Sequence, residues 1–192
     1  MCLYHREAAP TRRRLLALAG SSAGTLLAGC LGDAGPAEAP DPIALEGGLQ
    51  CDVCGMVIGE HFGPNGQLFY EDFEPGRHEN PARFDALAAC LFPYLFQQDQ
   101  QGRSPIGAYA TDYSAVSYTI DTIEDQPYIS SHTAAESFAP VESLHYVVDS
   151  SLQGAMGPDF FPFGDRADAE DVAREYDGRV IGFEEISTDL LG

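Results

Sequence analysis

Phe160-Phe161-Pro162-Phe163-Gly164-Asp165-Arg166-Ala167-Asp168-Ala169-Glu170-Asp171-Val172-Ala173-Arg174-Glu175-Tyr176-Asp177-Gly178-Arg179-Val180-Ile181-Gly182-Phe183 carries its own punctuation. The apolar run Phe160 to Phe163 reads as a strand. Asp165 is a helix cap, because its carboxylate accepts hydrogen bonds from backbone N–H groups that a first turn leaves free. From Arg166 to about Tyr176, Ala169, Val172 and Ala173 recur at helical spacing and define an inward face. Asp177-Gly178 closes the helix, and Arg179 to Phe183 is a last strand. Leu144 to Val148 is a strand upstream, separated by a Gly-rich loop. The second half of the chain thus reads strand, strand, helix, strand.

The first half gives the same outline. Met56-Val57-Ile58 reads as a short strand, and the turn Gly63-Pro64-Asn65-Gly66 leads to a second, Gln67-Leu68-Phe69-Tyr70. Asn80 is placed to cap a helix with Pro81 at its first position. Phe84, Leu87, Ala88 and Leu91 give that helix an apolar stripe, and Pro93 kinks or stops it. Ala115 to Ile120 reads as strand. The expected class is therefore α+β, with two similar strand-strand-helix-strand halves packed together, rather than a wound parallel sheet.

A chain of 192 residues with 44% hydrophobic and 21% charged residues is globular and long enough for one compact domain or two small packed halves. Its 30 acidic residues face 10 basic ones, all Arg, for a formal net charge of −20. Nucleic acid and anionic lipid head groups would repel such a surface. The acids are spread along the whole chain, which favours adaptation to high salt over a single acidic face that attracts cations.

Thr11-Arg12-Arg13-Arg14-Leu15-Leu16 opens an apolar run that ends in Leu27-Ala28-Gly29-Cys30. This is the layout of a signal peptide over residues 1–29. Paired Arg points to twin-arginine export, and the ending resembles a lipobox whose Cys30 becomes the lipid-bearing first residue. The expected place is the extracytoplasmic face of the cell membrane, lipid-anchored through Cys30. Gly20-Ser21-Ser22-Ala23-Gly24 fits a hydrolase motif but lies in the discarded segment and lacks its strand-turn-helix context. Residues 30–48 are rich in Ala, Pro, Gly and acids and read as a flexible tether, with the folded domain of two α+β halves over 49–192.

The chemistry concentrates in Cys51-Asp52-Val53-Cys54-Gly55-Met56. Two Cys at this spacing turn both sulfurs toward one ion or toward each other. If residues 54–56 are extended, Cys54 and Met56 point to the same side. Four readings stand side by side. Zinc wants four ligands and seldom uses Met. A thiol-disulfide module presents its pair at a helix start, where here a strand is expected. A structural disulfide this short staples little. Copper(I) favours soft thiolate and thioether sulfur. Met156, in Gly154-Ala155-Met156-Gly157-Pro158, sits on a loop, where a core-filling Met would be out of place. His61 is a further candidate ligand. Cys90, in an apolar helix, reads as an inert buried thiol; His78, His132 and His145 read as surface residues.

The chain resembles the nitrous oxide reductase accessory lipoproteins, the NosL family, over roughly residues 48–187. The resemblance rests on Cys-Asp-Val-Cys-Gly-Met at 51–56, Ala-Met-Gly-Pro at 155–158, the tail from Phe161-Pro162-Phe163 to Ile186, and the lipobox at Cys30. It implies a protein that is not an enzyme. It implies binding of copper(I) and delivery to the copper-sulfide centre of nitrous oxide reductase, with a membrane transporter complex as partner. By match, Cys54, Met56 and Met156 carry over as ligands, whereas Cys51 holds a place not assumed to be one across the family. Residues 97–142 are longer and more polar than the resemblance leads one to expect. A copper carrier for another extracytoplasmic oxidase, or a Cys-x-x-Cys redox module, is the alternative.

Overall fold

The computed structural model describes residues 38–75 and 78–191. The signal peptide and lipidation expected over residues 1–30 lie outside the described residues. In chain order the elements are β1 (Gly66–Phe69), β2 (Ala82–Phe84), a wide π-helical turn (Leu87–Leu91) running into α1 (Phe92–Gln100), β3 (Gly107–Thr111), β4 (Ile120–Ile123), β5 (Gln126–Ile129), β6 (Phe138–Pro140), β7 (His145–Val148), β8 (Gln153–Gly154), β9 (Gly157–Pro158), β10 (Phe161–Phe163), α2 (Arg166–Glu175) and β11 (Arg179–Gly182).

The class is α+β, and the two halves share one connectivity. In the first, β1, β2, helix and β3 form an antiparallel sheet in the order β2-β1-β3, with β6 added at the edge. In the second, β7, β10, α2 and β11 form an antiparallel sheet in the order β10-β7-β11. Each half therefore places its first strand in the centre. A third sheet, β4-β5-β8-β9, joins a hairpin from the middle of the chain to the loop that carries Met156.

The second half follows its local signals. Asp165 accepts from the Ala167 N–H at 2.8 Å and caps α2, whose Ala169, Val172 and Ala173 are buried. They close a small core with Val147, Phe161 and Phe163. Tyr146 and Val148, on the other side of β7, enter the larger core with Leu68, Phe84, Leu91, Phe92 and Phe160. Burial of each such side chain contributes about 1.5–3 kcal/mol.

The first half departs from expectation in three places. The helix expected from Asn80-Pro81 is instead strand β2, because Ala82, Arg83 and Phe84 pair with Leu68, Gln67 and Gly66. Asn80 caps nothing; its side chain bonds both the N–H and the C=O of Tyr70. The helical run begins at Leu87 and continues past Pro93, which falls where the wide π-helical turn gives way to α1. Met56-Val57-Ile58 is not a strand: only Val57 bridges, to Gln50. The strand expected at 115–120 is replaced by β3 and β4, since the Asp112 carboxylate accepts from the Ser114 N–H at 2.9 Å and turns the chain.

The described part of the expected tether, residues 38–48, lies along the domain. Leu45 is fully buried and its N–H bonds the Thr133 carbonyl at 2.7 Å. The buried Gln67 side chain satisfies both backbone groups of Ile43, each at 3.0 Å, as a neighbouring strand would.

Candidate metal centre

Residues 49–58 form a small loop with Cys51 to Met56 at its tip. The Cys51 N–H bonds the Met56 carbonyl at 2.9 Å, and the Ile58 N–H bonds the Leu49 carbonyl at 2.8 Å. Between them the Gly55 N–H reaches back to the Cys51 carbonyl at 3.0 Å, with Gly55 at φ +78°. A Cβ at Gly55 would meet nothing within 4 Å, so the turn demands Gly for its left-handed backbone, not for space. Asp52 ties the loop to β2. Its N–H bonds the Arg83 carbonyl at 2.9 Å, and its carboxylate accepts from the Arg83 N–H at 2.7 Å. The same carboxylate holds His78 Nε2 at 2.8 Å.

This fastening sets Cys51 and Cys54 against the residues that follow β2. One ligand atom from each of Cys51, Cys54, Asp85 and Cys90 lies within 4.8 Å of all the others. The Cys54 thiol donates to Asp85 Oδ1 at 3.1 Å, while Asp85 Oδ2 is buried without a partner among the described residues. Cys90, in the π-helical turn, is fully buried, and its sulfur lies 3.8 Å from the Met156 sulfur. Met156 comes from the turn between β8 and β9 and is 50% exposed. The three Cys are free thiols.

Their protonation is uneven. The neighbouring Cys90 thiol, aided by surrounding backbone N–H groups and opposed by burial, lowers Cys51 to about 6. Burial pushes Cys54 up to about 12, with Asp85 and Cys51 raising it further and the Met56 N–H opposing. Cys90 is held far above its ordinary value by its hydrogen bond to Cys51 and by burial. Ionisation of Cys51 is thus favoured over that of Cys54 and Cys90.

The structure thus gathers Cys51, Cys54 and Met156 in one neighbourhood, the last contributed by the second half of the chain. Met56 is half-buried at the end of the Cys turn, and exposed His61 is not among the clustered groups. Cys90, expected to be an inert buried thiol, is fully buried, and its sulfur lies within the cluster. Asp85 was not singled out at all. Its signal was present: Phe84-Asp85-Ala86-Leu87-Ala88-Ala89-Cys90 holds one carboxylate and one thiol in an otherwise apolar run. Three thiols and a thioether are soft donors, suited to a soft ion; the Asp85 oxygen is a hard one.

The NosL family matches residues 42–191 of this chain. The copper-binding lipoprotein NosL of Stutzerimonas stutzeri is 30% identical over 177 residues, covering 88% of this chain and 82% of that protein. The crystal structure of the copper chaperone NosL from Shewanella denitrificans superposes with a TM-score of 0.60 and 26% identity, over 78% of this chain and 98% of that one. Both relatives are named for binding or carrying copper, and neither as an enzyme.

Proposed function

This chain belongs to the NosL family, and from that membership we propose that it is a copper(I) carrier. The single observation that supports the reading most is the convergence of the Cys51, Cys54 and Cys90 thiols with the Met156 thioether. Copper(I) accepts two or three soft sulfur ligands without demanding a closed tetrahedron. Zinc would find three thiols and the Asp85 carboxylate, but would leave unused a thioether in contact with Cys90.

In this reading Cys54, Cys51 and Cys90 supply thiolates and Met156 the thioether, with Met56 and His61 as further candidate ligands. Copper(I) is cargo. Its arrival displaces thiol protons, and Asp85 Oδ1, already accepting from Cys54, is placed to take the first of them. The carrier is exported, lipid-anchored at Cys30 on the extracytoplasmic face of the membrane, and passes copper to nitrous oxide reductase or another copper enzyme with a membrane transporter complex as partner. The dispersed acidic residues keep it soluble at high salt.

The test is competition for copper(I) against a chromophoric chelator under reducing conditions. One equivalent should bind, Cys54→Ser should abolish competition, and Met156→Leu should weaken binding while leaving the thermal stability of the empty protein nearly unchanged. Stoichiometric zinc binding with no competition for copper(I) overturns the reading.

A further inference from the structure

Asp159 is a buried carboxylate, 5% exposed, with no cationic partner among the described residues. Its oxygens are instead enclosed by backbone. Oδ1 accepts from the Ala88 N–H at 2.7 Å, the Phe160 N–H at 2.8 Å and the Leu87 N–H at 3.1 Å; Oδ2 lies 3.2 Å from the same Leu87 N–H. Leu87 and Ala88 open the π-helical turn that carries Cys90, and Phe160 precedes β10. One side chain therefore grips both halves of the molecule, two residues before Cys90 on one side and three after Met156 on the other.

Space for it has been cleared. A Cβ at Gly154 would stand 3.2 Å from both Cβ and Oδ2 of Asp159. Burying a carboxylate costs free energy unless it is fully hydrogen-bonded, and an apolar residue would fill the same volume without that cost. Burial raises its carboxyl to about 7, with the Ala88, Phe160 and Leu87 N–H groups opposing the shift. What an apolar residue would not supply is registry: two directed bonds, to the Leu87 and Ala88 N–H groups, fix where the Met156 loop sits against the turn bearing Cys90, and the bond to the adjacent Phe160 N–H holds the carboxylate in that orientation.

We propose that Asp159 is a positioning residue of the metal centre, clamping the loop that carries Met156 to the turn that carries Cys90 and so setting the thioether–thiol separation at which copper(I) is held. The proposal rests on the reading of Met156 as a copper ligand. Groups that hold metal ligands in place typically contribute 10- to 100-fold in affinity. Asp159→Ala removes all three bonds. Asp159→Asn keeps an acceptor at Oδ1 and turns a donor toward the Leu87 N–H, so it should keep the fold with a loosened clamp.

The experiment uses the full chain labelled at its methionine methyl groups, where Met1, Met56 and Met156 are the three sources of signal. In the empty protein, Asp159→Asn should shift or broaden the Met156 methyl and leave Met56 in place. Copper(I) affinity should fall by roughly 10-fold or more. In a Met156→Leu background, Asp159→Asn should cost little further affinity. A folded Asp159→Ala protein whose Met156 methyl is unmoved overturns the clamp, as does an Asp159→Asn affinity loss of the same size with and without Met156. A methyl that moves while Met156→Leu leaves affinity untouched overturns the copper reading of Met156 instead.

Discussion

Gly63→Ala tests how the Met156 loop is seated. Gly63 stands at φ +97°, and a Cβ there would lie 2.6 Å from Gly154 Cα and 3.2 Å from the Ala155 nitrogen. Both are backbone atoms, so no side-chain rotation relieves the clash. The Gly63 N–H is bonded to the Ile129 carbonyl at 2.8 Å, which hinders retreat in the other direction. A left-handed backbone costs a non-Gly residue about 1–2 kcal/mol, and overpacking costs about 1–3 kcal/mol. Together they destabilise by roughly 2–5 kcal/mol, a fall in Tm of roughly 4–20 °C for a domain of this size. Gly55→Ala is the control, because its φ of +78° carries the backbone cost and its Cβ meets nothing within 4 Å. Thermal unfolding followed by circular dichroism compares the two. Gly63→Ala should melt well below Gly55→Ala, and its copper(I) affinity should fall because Ala155 precedes Met156. Equal melting of the two variants refutes the close approach of Gly63 to Gly154.

Two further outcomes are expected. Folded Cys51 loses its proton near pH 6 while the unfolded thiol keeps it to 9.0, so the unfolded state binds more protons in that window and stability should rise with pH from 6 to 9. The difference in unfolding free energy between wild type and Cys51→Ser reads this term, and a difference that is flat or falls with pH contradicts it. Cys30→Ser should leave the protein unprocessed or release it from the membrane; unchanged size with full membrane retention rules out lipidation.

The second half was legible because its signals are local: Asp165 and Asp177-Gly178 bound a helix with a clean apolar face. The first half misled because the same kind of signal was overruled. Asn80-Pro81 looks like a helix start, yet pairing of Ala82, Arg83 and Phe84 with the central strand outweighed a cap worth about 1 kcal/mol. The β4–β5 hairpin escaped notice because Asp121, Thr122 and Ile123 are all exposed, leaving no alternation to read. At the metal centre, Met156 was visible as an apolar residue in a Gly- and Pro-rich loop. Cys90 and Asp85 were not, because helical spacing says only that a side chain faces inward, not that a thioether from 66 residues away in the chain lies opposite.

In a copper carrier of this fold, strand β7 has a consequence for how the ion can leave. Its Tyr146 and Val148 belong to one core and its Val147 to the other. Neither core can loosen without withdrawing support from the other, so the described domain should melt in a single cooperative transition. Partial unfolding of one half is then closed as a release route, since it would sacrifice the whole domain. The Met156 side chain, half exposed at the tip of the turn between β8 and β9, is the part able to move while that turn stays clamped. In a copper carrier, exchange with a recipient would begin there, by an incoming ligand replacing the thioether, and the rate of hand-over would be set by rotation of one side chain while the clamped loop and the rest of the domain stay rigid.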